Sequence, residues 1–419
     1  MSSFPRMLRV QQNYPKPPPL DIPGVLRPQF DALRARIKPG ARIAVGVGSR
    51  GITNLKEIIA AILAILKAAG ANPFIIPAMG SHGGATPEGQ IDVLGTYGIT
   101  EASMGVPIRA SMEVRQIGVS EDGVPAYCSV EALEADGVVI VNRIKPHTDF
   151  GGELGSGIFK MAVIGLGKRT GANTMHMAAS QIGYEQAIRG IARVILGTAP
   201  VICGVGILEN QFHEVAQLVV IPRETIEATE NKLLVEARNL MPLLPFDDID
   251  LLIIDRIGKN ISGCGMDPNV IGRSVYGYAS SLRAQGSFKP YLRRIFVRDL
   301  TDESHGNAIG IGLADMTTTR LVRRMDHRIT YINALTAVQP QVAKIPIYFD
   351  TDREALEQAI ASLAITDGRA PTIVRIVDTL SVAHFEASEA LLPEIKKRPL
   401  LEILGPAQPM EFGADGNLV

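Results

Sequence analysis

Two histidines of this chain stand in glycine loops. His82 lies in GSHGG (80–84), and His147 opens PHTDFGGELGSGIFK (146–160), a run that closes on Lys160. An imidazole titrates near neutrality, so two of them flanking one substrate carbon could serve as acid and base on opposite faces. The bland alternative for each is a structural hydrogen bond. Lys160 sits between GSGIF and MAVIG, where apolar neighbours could desolvate the amine into a nucleophile or simply line a snorkelling stem. Arg50 in GSRG (48–51) is either a clamp for a carboxylate or phosphate or a surface arginine. GLGKRTG (165–171) offers Lys168 and Arg169 to a phosphate. His176, among the methionines of TGANTMHMAAS, reads as packing or as one ligand of an incomplete metal site, since no second ligand stands at helical spacing from it. His213, His305, His327 and His384 have no such setting and read as surface or core histidines.

The elements around these residues have a clear rhythm. RIAVGVGS (42–49), PFIIPAMG and DGVVIVN are apolar runs that each end in a loop carrying a basic or imidazole group, and helical stretches separate the first two. TNLKEIIAAILAILKAAG predicts a helix capped by Thr53 or Asn54 and stopped at Gly70. TPEGQIDVLGTYG predicts another, with Thr86 at the cap, Pro87 at the first position and Glu88 in the first turn. Strand, loop and helix in alternation imply α/β architecture with largely parallel sheets. Ligands bind at the carboxyl ends of such strands, which is where the three loops fall.

With 419 residues, the chain is longer than one core comfortably serves, so two α/β domains are expected. The expected division is an N-terminal domain over 1–245, a second over 246–405, which opens with the strand IDLLIID (249–255), and a loose tail over 406–419. The natural pocket would be a cleft between the domains. The stretch YPKPPPLDIP (14–23) reads as an extended arm on the surface or on a partner subunit. Net charge is −1 and charged residues make up 20%, which leaves no global pull toward nucleic acid or membrane and points to a small-molecule partner. The most apolar window, IIAAILAILKAAG, is interrupted by Lys67 and is too short to span a bilayer. MSSFPRMLRV lacks a signal-peptide core, and Cys128, Cys203 and Cys264 lie far apart without a CxxC pair, so a cytoplasmic protein with reduced thiols is expected.

Taken in order, GSHGG with His82, Pro146-His147, the glycine run, Lys160 and His176 sixteen positions later resemble the nickel-pincer lactate racemase family. Arg50 fits the family's first basic motif, and MDPNVIG (266–272) resembles a segment of its second domain. The resemblance implies a nickel pyridinium-3,5-bisthiocarboxylic acid mononucleotide tethered to Lys160, with His176 as the nickel ligand. Cofactor sulfur, carbon and sulfur would then complete a square plane, a soft donor set that suits nickel. It further implies that His82 and His147 are the acid–base pair while hydride leaves and returns to the 2-carbon of a 2-hydroxy acid. Gly155 and Gly157 would make room for the nucleotide, with Lys168 beside it, and Arg50 would hold the substrate carboxylate or the cofactor phosphate. Cofactor-maturation proteins are implied partners, and a homo-oligomer is compatible.

The chain also departs from the family's pattern. GVGSRG lacks the family's aspartate, and the positions of its substrate-facing Gln and Lys fall on Gly272 and Val275, with Arg273 as the replacement positive charge. Those changes direct the expectation toward a larger or more polar 2-hydroxy acid than lactate, including a sugar acid epimerised at its 2-carbon. Altered substrate positions also motivate a second hypothesis, a non-catalytic carrier of the mononucleotide. A third, ordinary NAD or ATP chemistry, lacks both a full GxGxxG after the first strand and a Walker sequence.

Overall fold

The computed structural model describes residues 4–48, 51–148, 152–275 and 289–419. The chain forms two compact units, Pro17–Met241 and a second made of Met1–Lys16 with Pro242–Val419. Strand β1 (Met7–Gln12) opens the chain and belongs to the second unit.

In the unit Pro17–Met241, the main sheet contains β2 (Arg42–Val47), β3 (Asn72–Pro77), β6 (Gly137–Arg143), β7 (Val201–Glu209) and β8 (Val215–Pro222), in the order β3-β2-β6-β7-β8. The first four are parallel, and β8 returns antiparallel to β7. A separate hairpin pairs β4 (Val114–Val119) with β5 (Pro125–Ser129). Ile43 to Val47 and Val138 to Val141 are buried without alternation, as strands covered on both faces must be. The helices are α1 (Ile22–Asp31), α2 (Leu55–Ala68), α3 (Pro87–Thr96), α4 (Glu101–Met104), α5 (Val130–Leu133), α6 (Ile158–Lys160), α7 (Lys168–Ile182), α8 (Tyr184–Thr198) and α9 (Ile226–Asn239).

Sequence signals account for several of these elements. Along α2, Leu55, Ile58, Ile59, Ile62, Leu63 and Leu66 are buried, the stripe that a helix lays on a sheet. Asn54 is its cap residue, in the left-handed region and without a side-chain bond, while Gly70 ends the helix at φ +81°. Thr86 accepts from the Gly89 N–H at 3.1 Å, with Pro87 opening α3.

The second unit holds an eight-stranded sheet. Its further strands are β9 (Asp248–Ile257), β10 (Tyr291–Leu300), β11 (Met316–Thr318), β12 (Ile347–Phe349), β13 (Ile373–Ile376), β14 (His384–Ser388) and β15 (Leu401–Ile403), in the order β12-β11-β10-β9-β13-β14-β1-β15. From β12 to β13 the strands run parallel; β14, β1 and β15 pair antiparallel. Residues 1–16 therefore depart from the expected division, because β1 fills the gap between β14 and β15. The expected tail departs too. Leu418 is buried, Met7 and Gln408 exchange backbone bonds, and Arg298 donates to the Leu418 carbonyl at 2.6 Å. Burying Leu418 and Ala407 is the driving force that pins this segment. Among the described residues no helix is long and apolar enough to cross a membrane.

Candidate functional site

Beyond β6 the chain makes an excursion and returns. Lys145 and Ser156 pair through both backbone groups, at 2.9 and 2.8 Å, so the loop carrying His147 is closed at its base. The chain then turns directly into α6, a π-helical turn at Met161–Gly165, and α7. This return places the Lys160 Nζ 2.5 Å from the His147 Nε2. Tyr184, the first residue of α8, joins the group. Its ring lies 6.4 Å from that of His147 at 27° and 5.9 Å from that of His176 at 77°, edge to face. All four side chains are partly exposed.

Close packing fixes the segment that carries Lys160. Gly157 has the Glu230 carboxyl where a side chain would begin, and a Cβ on Gly155 would stand 2.4 Å from the Lys145 carbonyl oxygen. Both glycines are thus accounted for by approach within the fold. Asn142 donates to the Gly157 carbonyl at 2.8 Å. Ends of neighbouring strands press on the same segment: an added Cβ would meet Met161 at 2.7 Å from Gly48 and Ile164 at 2.8 Å from Gly80. Sequence reasoning found His147, Lys160 and His176 but missed Tyr184, whose only local signal is an aromatic directly after a glycine between two helices.

His82 is exposed in the loop after β3. Since β3 and β6 flank β2 in parallel, the loops bearing His82 and His147 leave the same end of the sheet. Gly80, Gly83 and Gly84 all have φ near +60°, conformations that glycine adopts without strain. The loop is held from beneath by Gln90, whose Nε2 donates to the Gly80 and His82 carbonyls at 3.0 and 3.3 Å. Lys168 supports this arrangement, with its Nζ donating to the Pro77 carbonyl at 2.5 Å and to the Gln90 Oε1 at 3.3 Å. Its side chain is buried, and that burial pushes the ammonium down to about 8 against the pull of Glu131. The structure thus sets Lys168 under the His82 loop, outside the group around Lys160.

Arg273 belongs to the other unit. It is 9% exposed, paired with Asp315 at 2.6 Å, and donates to the Leu313 carbonyl at 2.6 Å. Its neighbourhood contains the short helix α10 (Pro268–Ile271), capped by Asp267. Arg50 lies outside the described residues. Cys128, Cys203 and Cys264 are buried free thiols, and burial pushes the first two up to about 12. They are poor nucleophiles as a result.

The family model described as the lactate racemase N-terminal domain matches residues 25–187, a span that includes His82, His147, Lys160, His176 and Tyr184. No curated protein sequence matches the chain. Among solved structures, the lactate racemase apoprotein from Thermoanaerobacterium thermosaccharolyticum is similar with a TM-score of 0.52 at 12% identity, over 90% of this chain and 99% of that one. A protein from Thermotoga maritima gives 0.50 at 12% identity, over 88% and 99%. At such identity the likeness of structure speaks for the fold. Residues 25–187 thus match a lactate racemase N-terminal domain, and the fold of the lactate racemase apoprotein is similar over most of the chain.

Proposed function

We propose that the protein is a racemase or epimerase of a 2-hydroxy acid working with a nickel-pincer nucleotide tethered at Lys160. The observation that carries this reading is the approach of the Lys160 amine to the His147 imidazole at 2.5 Å, with Tyr184 linking that imidazole to His176. Among the described residues no group of three or more His, Cys, Asp or Glu side chains could hold a metal ion, so a metal at His176 would have to bring its other donors with it. The residues fit such a group: a primary amine for a covalent tether, and one partly exposed imidazole for a soft-donor metal. When bound, the nucleotide would supply the hydride acceptor and donor for the substrate 2-carbon.

The remaining work is done by side chains of this chain. His147 takes the hydroxyl proton on one face of the substrate, and His82, protonated beforehand, gives its own proton to the oxygen on the other, with the roles reversed for the opposite epimer. Tyr184 orients the His147 and His176 rings by aromatic contact. Lys168 and Gln90 hold the His82 loop, which replaces the phosphate role expected of Lys168. Arg50 is the proposed carboxylate clamp. Cofactor-maturation proteins are the proposed partners.

The reading is tested with protein matured in the presence of the cofactor-making machinery and nickel, given a panel of 2-hydroxy acids in deuterated water. Epimers that keep protium at the 2-carbon are expected. Deuterium at the 2-carbon would establish proton abstraction and overturn the hydride scheme. Loaded protein inert toward the whole panel, and unchanged by replacing His82 or His147, would be a carrier instead.

A further inference from the structure

A buried carboxylate lies beneath the segment that bears Lys160, and the scheme above does not use it. Glu230, on α9, is 1% exposed. Its Oε2 accepts from the N–H groups of Ile158 and Phe159, at 2.7 and 3.1 Å. Its Oε1 has no hydrogen-bond partner among the described residues and lies 2.2 Å from where a Cβ on Gly157 would stand. Burial pushes the carboxyl up to about 7, against the backbone donors of α6 and the charge of Arg189.

A carboxyl group with one oxygen unsatisfied in the interior costs stability, and an apolar residue among Ile226, Leu233 and Leu234 would pack there without that penalty. Its presence here therefore has a cause other than packing. The element it bonds supplies one. Helix α6 is three residues long, starts at Gly157 without a side-chain cap, and runs into the π-helical turn. So short a helix has too few internal bonds to fix itself. Its first two N–H groups find their acceptor some seventy residues away, on Glu230. Lys160 is the third residue of that helix, so whatever anchors Ile158 and Phe159 also sets the origin of the lysine stem.

We propose that Glu230 is a positioning residue, which anchors the first turn of α6 so that the Lys160 amine stays within reach of the His147 imidazole. The inference rests on the reading of Lys160 and His147 as the functional pair, but it is tested on protein carrying no cofactor. Two conservative changes separate reach from charge. Glu230→Gln keeps an acceptor oxygen at the same distance, whereas Glu230→Asp keeps the carboxyl and withdraws it by one methylene.

Lys160 acylation by acetic anhydride is measured by peptide mass spectrometry against the exposed Lys38 and Lys344. Amide exchange is followed at Ile158 and Phe159. In the unmodified sequence Lys160 should react faster than both reference lysines, because the adjacent imidazole can accept the proton that the attacking neutral amine releases as the N–C bond forms and acetate leaves. Glu230→Asp should lower that ratio about fivefold, toward the reference lysines. It should also speed exchange of the two amides about tenfold while sheet amides stay protected. Glu230→Gln should retain both properties. His147→Ala should lose the labelling advantage yet keep the two amides protected. A folded Glu230→Asp protein with unchanged labelling and protection would overturn the proposal, as would a Glu230→Gln protein that matches Glu230→Asp. If labelling behaves as stated and no nucleotide adduct ever forms, the positioning role stands and the tether reading fails alone.

Discussion

Replacing His147 by alanine would remove one member of the proposed acid–base pair. Interconversion of the 2-hydroxy acid epimers should fall by roughly 10²–10⁴-fold, the usual contribution of a general base. The comparison is made at equal adduct occupancy of Lys160, read by peptide mapping of the same sample, because loss of His147 also slows reaction of that amine. Glu230 gives a prediction about stability. Its folded pKa of about 7 lies above the ordinary 4.5, so the contribution is fully present below the lower value and is lost as pH rises through the upper one. Between pH 4.5 and 7 the native state should lose up to roughly 3 kcal/mol through this group. Urea midpoints of the unmodified protein should decline across that range relative to Glu230→Gln, whose side chain does not ionise. Residues of this kind differ in how visible they are from sequence. His147, Lys160 and His176 announce themselves by chemistry and spacing. Glu230 is one of four glutamates in RETIEATENKLLVEARNL (223–240), and only the tertiary contact with α6 distinguishes it from the half-buried Glu227 and the exposed Glu224 and Glu236.

At the level of elements, the strands β2, β3, β6 and β9 and the helices α2 and α3 follow from apolar runs and end signals, because those signals are local. The surroundings of the glycines are not local. A Cβ at Gly155 or Gly157 would strike Lys145 or Glu230, partners that a sequence window does not contain. Lys168 is similar: its basic neighbour Arg169 is exposed while Lys168 itself is buried. The Lys168–Gln90 support under the His82 loop makes its own prediction. Gln90→Leu leaves the Gly80 and His82 carbonyls without their side-chain donor, at a cost of about 1–3 kcal/mol. In loaded protein, epimer interconversion should drop by about tenfold or more as His82 loses its fixed position, while adduct mass at Lys160 persists. Equal activity of this variant and its parent, measured at saturating substrate, would argue that Gln90 does not place His82.

On the scale of the whole molecule, the first strand is built into the sheet formed by the far end of the chain. MLRVQQ carries an apolar alternation but no mark of which sheet it will enter, since pairing partners are set by strand edges hundreds of residues away. Removing residues 1–16 takes β1 from between β14 and β15. In calorimetry, the transition of the unit Pro242–Val419 should move down by several degrees or more, in line with the loss of a few kcal/mol from a domain of this size. The transition of Pro17–Met241 should move little. A uniform shift of both transitions would contradict this division of the chain.

Lys160 is the residue on which the proposed chemistry turns. Intact-mass analysis with peptide mapping, on protein matured with nickel and the cofactor-making machinery, should find a covalent nucleotide adduct on the peptide containing Lys160. That adduct should be absent from Lys160→Ala, along with epimer interconversion. Active protein of unmodified mass, or an active Lys160→Ala variant, would contradict the account.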